Sequence, residues 1–152
     1  LRIIRTRAFN ITGPGERKDF ACSNFAWQIA MIEKDKQEPT IYVGNLEAKR
    51  DFVDIRDVVQ AYCLALVKGI SGEVYNVCSG KSYSIGEILG ILLEMTKEKI
   101  TVREDPKRMR PSDIPLQVGS FEKLYKQTGW KPTTPMKETL KDLLNYWRQR
   151  VS

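Results

Sequence analysis

The chain of 152 residues is long enough for one domain with a buried core, and its 41% hydrophobic and 29% charged residues are typical of globular rather than disordered or fibrous proteins. No apolar run approaches the roughly 20 residues that a membrane span needs, and no leader peptide is recognisable, so we expect a soluble, cytoplasmic protein. The net charge of +6 is spread along the chain without a basic run, which favours a solvated surface over nucleic-acid binding.

Short apolar stretches alternate with helical patterns along the chain. Strands are predicted at residues 3–9, 40–43, 73–77 and 100–102. Helices are predicted from Asp19, from Asp54 to Gly69, from Ser84, from Ser120 to Gly129 and from Thr134-Pro135. Ser84 and Glu87 form a capping-box pattern, and Asp54 is a residue type that caps helix N-termini. The alternation predicts an α/β fold in which residues 73–77 form a buried parallel strand.

Further predictions concern which side chains are buried. The helix after Asp54 is expected to bury apolar residues at helical spacing, namely Val58, Tyr62, Ala65 and Leu66. The cysteines lack C-x-x-C spacing, so we expect reduced thiols in the core. They are Cys22, Cys63 and Cys78. The chain has no histidine, which argues against a zinc site or a Ser-His triad, and no metal site is predicted.

Three loops carry polar residues where α/β folds bind ligands, at the carboxyl ends of strands. In RAFNITGPGE, Asn10 precedes a Gly-Pro-Gly turn that allows close approach of a ligand, although a plain turn explains the same residues. In EAKRDFVD, Arg50 and Asp51 either meet a ligand or form a surface ion pair. In KRMRPSDIP, arginines suited to phosphate precede Asp113, which can accept hydrogen bonds from sugar hydroxyls. Two such loops together would clamp a diphosphate, but spacing alone does not bring them together.

Seven segments, taken in chain order, resemble one enzyme family. They are RAFNITGPG, VGNLEAKRDFVDIRDVVQAY, GEVYNVCSG, SIGEIL, RPSDIP, TGWKP and TLKDLLNYWR. Together they resemble the C-terminal half of extended short-chain dehydrogenase/reductases that act on GDP-sugars, over essentially the whole chain. The implied fold is α/β, the substrate-binding C-terminal part of a protein with an NAD(P)-binding Rossmann-like fold. Residues 1–152 would form the nucleotide-sugar-binding domain, with residues 1–10 contributing a strand to an incomplete Rossmann sheet.

The resemblance also implies that the cofactor-binding N-terminal half is absent from this chain. In the family, that half carries the Gly-rich NADP(H) loop and a Tyr-x-x-x-Lys pair. This chain has no G-x-x-G-x-x-G segment, and none of its tyrosines has a lysine four residues on. We therefore expect no catalytic residue in this chain. NADP(H) is expected in the full-length enzyme and not in this chain alone.

Four residues are assigned to the phosphates and sugars of the substrate by this resemblance. Asn10 matches an asparagine that contacts the phosphate or the hexose, and Arg50 matches an arginine that contacts the diphosphate. Arg110 and Asp113 match an arginine and an acidic residue that hold the diphosphate and the ribose. Asp51 is expected to hold Arg50 in place.

Four further positions are assigned to the nucleotide pocket and the cofactor. Ala21 and Asn24 fall where the dehydratases of the family line the nucleotide pocket, but Asn24 replaces a lysine of those enzymes. Phe9 and Thr12 are expected to lie beside the cofactor.

Within the family, the motifs are most similar to members that reduce GDP-4-keto-6-deoxy-mannose to GDP-rhamnose, and next to GDP-mannose 4,6-dehydratases. We expect the GDP-sugar-binding portion of such a reductase, inactive as an isolated chain. The alternatives are a portion of a dehydratase, or a non-catalytic nucleotide-sugar-binding module from a split gene. The expected partners are a GDP-sugar and the missing half, from the same or a separate chain. A homo-oligomer is also compatible, although family members commonly pair through helices of the missing half.

Overall fold

The structure is a computed structural model that describes residues 1–109 and 114–151. In those residues the helices are α1 (Ala21–Glu33), α2 (Ile55–Lys68), α3 (Ile85–Leu93), α4 (Glu122–Thr128) and α5 (Met136–Arg150). The strands are β1 (Arg5–Ala8), β2 (Asn10–Thr12), β3 (Thr40–Val43), β4 (Lys49–Asp54), β5 (Val74–Val77), β6 (Ser82–Ser84), β7 (Thr101–Glu104) and β8 (Leu116–Gln117). A 3-10 turn spans Pro106–Arg108. The alternation of helices and strands agrees with the predicted α/β class.

The strands form three small sheets. β1 pairs in parallel with β5, and β3 pairs in parallel with β7. The third sheet is built around β4, which pairs in parallel with β2 and β8 and antiparallel with β6. Within the described residues β1 pairs only with β5, so one edge of this two-stranded sheet is open. Parallel strands are normally covered on both faces, yet Arg5, Thr6 and Arg7 of β1 are exposed.

Two apolar clusters form the core. The larger packs α1, α3 and α5 together and includes Ile41 of β3. The smaller includes Val58 of α2 and the fully buried Trp130, which follows α4. β4 contributes to both, because Phe52 belongs to the larger cluster and Val53 to the smaller one. The strand that carries Arg50 near its start is therefore anchored in both parts of the core. None of the helices in the described residues has the length and apolarity of a membrane span.

Two of the predicted helix starts are confirmed. Asp54 accepts a hydrogen bond from the N–H of Arg56 at 2.7 Å and so caps α2. Its carboxylate also accepts a hydrogen bond from the Thr139 hydroxyl of α5 at 2.7 Å. These bonds and the Arg56 guanidinium hold the pKa of Asp54 below its usual range, even though burial acts in the opposite direction. Ser84 and Glu87 form the expected reciprocal capping box at the start of α3.

Other boundaries differ from the predictions. α1 begins at Ala21 rather than Asp19, because Phe20 occupies the N-cap position and Asp19 forms an exposed ion pair with Arg17. The strand predicted at residues 3–9 is shorter, and a second strand follows it at Asn10. β4 was not predicted, because its charged first half hides the alternation typical of a strand.

The buried face of α2 also differs from the prediction. Val58 and Ala65 are buried as expected, but Tyr62 is 42% exposed and Leu66 is 73% exposed. Cys63 of the same helix is exposed, whereas the other two cysteines are buried as predicted. Both sides of α2 carry apolar residues, so helical spacing alone could not identify the side that packs. We refer to the exposed residues Val59, Tyr62, Leu66 and Val67 as the apolar face of α2.

Candidate functional site

Two cavities meet beside β4. The polar cavity has a volume of about 400 Å³, and its polar and charged side chains are Asp19, Asn24, Tyr42, Asn45, Arg50, Lys107 and Arg108. The apolar cavity has a volume of about 460 Å³ and is lined by Phe9, Ile11, Phe52, Asn10 and Glu16, among others. Both cavities share the lining residues Phe20, Ala21, Arg50 and Ile85. Volumes of this size are typical of small-molecule sites.

Arg50 lies on the wall that the two cavities share. In the third sheet it pairs with Tyr83 of β6 and with Gln117 of β8. Its guanidinium donates a hydrogen bond from Nη1 to the carbonyl oxygen of Lys49 at 2.8 Å. A guanidinium presents a planar fork that matches phosphate oxygens. A ligand whose central diphosphate bound here would have one end in each cavity.

Asp51 does not hold Arg50, and the expected pair between them is wrong. The Asp51 side chain is fully buried. Oδ1 accepts hydrogen bonds from the N–H and the hydroxyl of Ser79 at 2.8 and 2.7 Å, and Oδ2 accepts from the N–H groups of Gly80 and Gly119 at 3.0 and 3.1 Å. The carboxylate therefore fastens the loop after β5 and the chain at Gly119 to β4. Successive residues of a strand point to opposite faces, which explains why Arg50 and Asp51 have different surroundings.

Asn10 supports β4 at the same place. Its side-chain Nδ2 donates a hydrogen bond to the carbonyl oxygen of Asp51 at 2.8 Å, and its backbone pairs with Phe52. Asn10 also lines the apolar cavity together with Arg50. The predicted contact of Asn10 with a phosphate or a hexose stays a prediction, and the structure gives this residue a further role in holding β4.

Asn24 and Ala21 both line the polar cavity, and their place in a nucleotide pocket stays a prediction. The Asn24 Oδ1 atom accepts hydrogen bonds from Arg108 Nη1 at 2.9 Å and from Gln28 Nε2 at 2.7 Å. Its Nδ2 atom donates to the carbonyl oxygen of Lys18 at 2.9 Å. Asn24 thus ties the 3-10 turn to α1, across 84 residues of sequence. Asn24 stands where the dehydratases of the family have a lysine, and this contact gives it a structural role in this chain.

Arg110 and Asp113 lie outside the described residues, so their predicted roles stay predictions. Arg108 of the same segment lies in the described 3-10 turn and lines the polar cavity. The turn packs directly against Gly44, where an added Cβ would lie 2.3 Å from the Arg108 carbonyl oxygen. A glycine at this position therefore lets the basic segment approach β3 and border the cavity.

The two residues predicted beside the cofactor have different surroundings. Phe9 lines the apolar cavity, and its ring packs against Gly119, where an added Cβ would lie 2.6 Å from Cζ. Thr12 is buried, and its hydroxyl donates a hydrogen bond to Glu16 Oε2 at 2.8 Å. Burial raises the pKa of Glu16 to about 7, and the Thr12 hydrogen bond acts in the opposite direction. The contacts of Phe9 and Thr12 with the cofactor stay predictions.

Several residues of the site were not identified from the sequence. They are Glu16, Phe20, Tyr42, Asn45, Ile85 and Lys107. Asn45 follows the carboxyl end of β3, so the rule that selected the other three loops also applies to it. Phe20 and Ile85 carry no such signal, because an apolar residue at the start of a helix is normally part of the core. Among the described residues, no cluster of acidic or cysteine side chains could hold a metal ion.

Comparison with known proteins identifies the family. The model of the GDP-mannose 4,6 dehydratase family matches residues 1–143 of the chain. The chain belongs to this family. The matched residues include those that line both cavities. The match confirms the predicted relationship to enzymes that act on GDP-sugars.

The curated relatives of this member of the GDP-mannose 4,6 dehydratase family include a reductase. The GDP-6-deoxy-D-mannose reductase of Pseudomonas aeruginosa is 37% identical over 150 residues, which cover 99% of this chain and 49% of the relative. The GDP-6-deoxy-D-talose 4-dehydrogenase of Aggregatibacter actinomycetemcomitans is 31% identical over 127 residues, covering 84% of this chain and 42% of the relative. The chain thus spans about half the length of the curated relatives that it matches.

Solved structures confirm the predicted fold. The structure of RMD from Pseudomonas aeruginosa complexed with NADPH has a TM-score of 0.93 and 35% sequence identity, over 99% of this chain and 50% of that chain. UDP-glucose 4-epimerase from Thermotoga maritima, solved with UDP-glucose, has a TM-score of 0.82 and 25% identity, over 100% of this chain and 48% of that chain. The expected Rossmann-like architecture is therefore shared with reductases and epimerases of nucleotide sugars.

Proposed function

We propose that this chain is the GDP-sugar-binding part of a cytoplasmic NADP(H)-dependent reductase that converts GDP-4-keto-6-deoxy-mannose to GDP-rhamnose. The observation that carries the proposal is the position of Arg50 between two cavities of different polarity. The diphosphate binds at Arg50, the guanosine occupies the polar cavity and the hexose occupies the apolar cavity. The identity of 37% to a GDP-6-deoxy-D-mannose reductase supports reduction as the reaction.

Basic residues of the 3-10 turn also border the polar cavity. Arg108 and Lys107 belong to the 3-10 turn that lies over β3, and Arg108 is held by Asn24. By the family resemblance, Arg110 and Asp113 of the same segment complete the diphosphate and ribose contacts. Cations on opposite sides of a diphosphate stabilise its charge and fix its orientation.

Two alternative functions have less support. The chain is 24% identical to the GDP-mannose 4,6 dehydratase of Drosophila melanogaster over 155 aligned positions, which is lower than its identity to the reductase. A non-catalytic binding module would use the same two cavities and differ only in lacking a catalytic partner half. If the complete native protein shows no substrate-dependent oxidation of NADPH, the non-catalytic binding module would be favoured.

The hydride donor and the proton donor belong to a complementary half in this proposal. The chain lacks the Gly-rich loop and the Tyr-x-x-x-Lys pair of the family, so alone it is expected to bind no NADP(H) and to have no activity. NADP(H) supplies the hydride when both halves are present. The residues of this chain bind and orient the GDP-sugar, with Asn10 and Phe9 beside the apolar cavity where the hexose would face the cofactor.

The proposal is tested by calorimetric titration of the purified chain with GDP and with GMP. GDP is expected to bind more tightly, because only GDP offers a diphosphate to Arg50. Both ligands share the guanosine and the first phosphate, so the difference between them measures the contribution of the second phosphate. Equal affinities for the two nucleotides would contradict a diphosphate site at Arg50.

The complementary half is proposed to dock on β1 and α2. Residues 1–152 then form one nucleotide-sugar-binding domain, and residues 1–10 add β1 to the sheet of the other half. Two features support this: the open edge of β1 and the apolar face of α2, whose Leu66 and Val67 are 73% and 72% exposed. The segment before β1 reaches the end of α2, because the Arg2 guanidinium donates a hydrogen bond to the carbonyl oxygen of Gly69 at 2.7 Å.

The isolated chain is expected to self-associate through this surface. An open strand edge and exposed apolar side chains are each prone to associate with another copy. Leu66→Lys is expected to shift sedimentation towards monomer, whereas Tyr125→Lys, at a 48% exposed position on α4, is the matched control and should have little effect. A wild-type monomer at high micromolar concentration, with residues 1–10 protected from hydrogen exchange, would contradict the docking surface.

A further inference from the structure

The apolar cavity contains one carboxyl group. Among its described lining residues, Asn10, Glu16 and Arg50 are the polar ones, and the others are mainly Phe9, Ile11, Phe20, Phe52 and Ile85. A carboxyl group in such surroundings is costly to bury unless hydrogen bonds offset the loss of water. The hydroxyl of Thr12 donates a hydrogen bond to the Glu16 carboxyl group.

Glu16 is held firmly in this position. Its N–H donates to the carbonyl oxygen of Gly13 at 3.1 Å, and its own carbonyl oxygen accepts from the Ser23 hydroxyl at 2.8 Å. Ser23 Oγ in turn accepts from Trp147 Nε1 at 2.9 Å, which connects the loop to both α1 and α5. The backbone of Glu16 is thus fixed by Gly13 and Ser23, and its carboxyl group by Thr12, before any ligand arrives, which favours binding over rearrangement.

We propose that Glu16 hydrogen-bonds a hydroxyl group of the hexose of the bound GDP-sugar. The inference rests on the proposed function, because it requires the hexose to occupy the apolar cavity. A protonated carboxyl group both donates and accepts hydrogen bonds, so it can bind a sugar hydroxyl without bringing a second negative charge near the diphosphate. Glu16 is in this sense a positioning residue for the sugar and takes no part in proton transfer.

The protonation of Glu16 makes this contact dependent on pH. Its pKa of about 7 means that the carboxyl group is mostly neutral at pH 6 and mostly ionised at pH 8. Arg50 of β4 is the other charged residue among the described lining residues of the apolar cavity, and Cys22 of α1 interacts electrostatically with Glu16. Burial raises the pKa of Cys22, so its thiol stays neutral in this range, and an arginine stays charged throughout it. The diphosphate diester of GDP-mannose does not titrate in this range, whereas the terminal phosphate of GDP does, with a second pKa of roughly 6. A change in GDP-mannose affinity between pH 6 and pH 8 is therefore assigned to Glu16.

The test compares GDP-mannose with GDP as ligands of the full chain at pH 6 and pH 8. For the wild type, GDP-mannose affinity is expected to fall several-fold between pH 6 and pH 8, and GDP shows whether each protein still binds the nucleotide. Glu16→Gln imitates the neutral carboxyl group and is expected to keep a pH-independent GDP-mannose affinity close to the wild-type value at pH 6. Glu16→Leu is expected to lower GDP-mannose affinity by about 3- to 10-fold at pH 6, which is the loss of one hydrogen bond, and to leave GDP affinity unchanged.

The outcomes separate this inference from the proposed function. If the wild type binds GDP but GDP-mannose affinity is the same in all three proteins and at both pH values, Glu16 does not contact the hexose and the inference alone is overturned. If the wild type does not bind GDP, the proposed function is overturned together with the inference. Glu16→Gln keeps the test decisive if Glu16→Leu fails to fold, because glutamine preserves the size and the Thr12 contact of the side chain.

Discussion

Arg50→Ala is expected to weaken GDP binding by about 10- to 100-fold. Charge-assisted hydrogen bonds contribute about 1.5 to 3 kcal/mol each, and a tenfold change in affinity corresponds to about 1.4 kcal/mol. The melting temperature is expected to change little, because Arg50 belongs to neither apolar cluster of the core. Arg110→Ala is expected to weaken binding by a similar factor through the basic segment. Calorimetric titration of GDP into each variant measures the two losses of affinity.

Two further variants distinguish the guanidinium fork from charge alone. Arg50→Lys is expected to restore affinity only in part, since lysine keeps the charge but loses the planar fork. Lys49→Ala removes the same charge from the neighbouring position of β4, where Lys49 is exposed and lines neither cavity. It should reduce affinity less than twofold. If Arg50→Ala binds GDP as tightly as the wild type, the diphosphate does not bind at this wall.

Asp51→Asn is expected to destabilise the fold by about 2 to 6 kcal/mol, since each of two buried donors that lose their acceptor costs about 1 to 3 kcal/mol. The two carboxylate oxygens of Asp51 accept four hydrogen bonds from Ser79, Gly80 and Gly119. An asparagine retains one of these oxygens and places an NH2 group against the donors of the other. A loss of this size is a large fraction of the roughly 5 to 15 kcal/mol that stabilise a typical domain.

Urea unfolding at pH 7 measures this loss directly. The matched control is Asp19→Asn, which removes an exposed carboxylate in an ion pair with Arg17 at 2.7 Å. Exposed pairs contribute about 0 to 1 kcal/mol, so the control should unfold almost as the wild type does. Similar unfolding midpoints for the two variants would show that the Asp51 network contributes no more than a surface ion pair.

Several features of this protein could be predicted from the sequence because their causes are local. The Asp54 cap and the Ser84–Glu87 capping box each depend on residues within three positions of one another, and the structure contains both. The alternation of strands and helices likewise follows from short apolar patterns, so the α/β class was predictable. The family was predictable for a different reason, since seven segments in fixed order resemble its members.

The surroundings of the individual site residues were decided only by tertiary structure. Asp51 meets Gly119 across 68 residues, and Asn24 meets Arg108 across 84, so neither contact has a signal in neighbouring sequence. The expected Arg50–Asp51 pair failed because adjacent strand residues face opposite sides, a fact that matters only once β4 is recognised as a strand. In the same way, helical spacing identified apolar residues on α2, but the packing of the smaller core cluster determined that Leu66 lies outside it. Local propensities specify elements, whereas the partners of a side chain depend on which elements pack together.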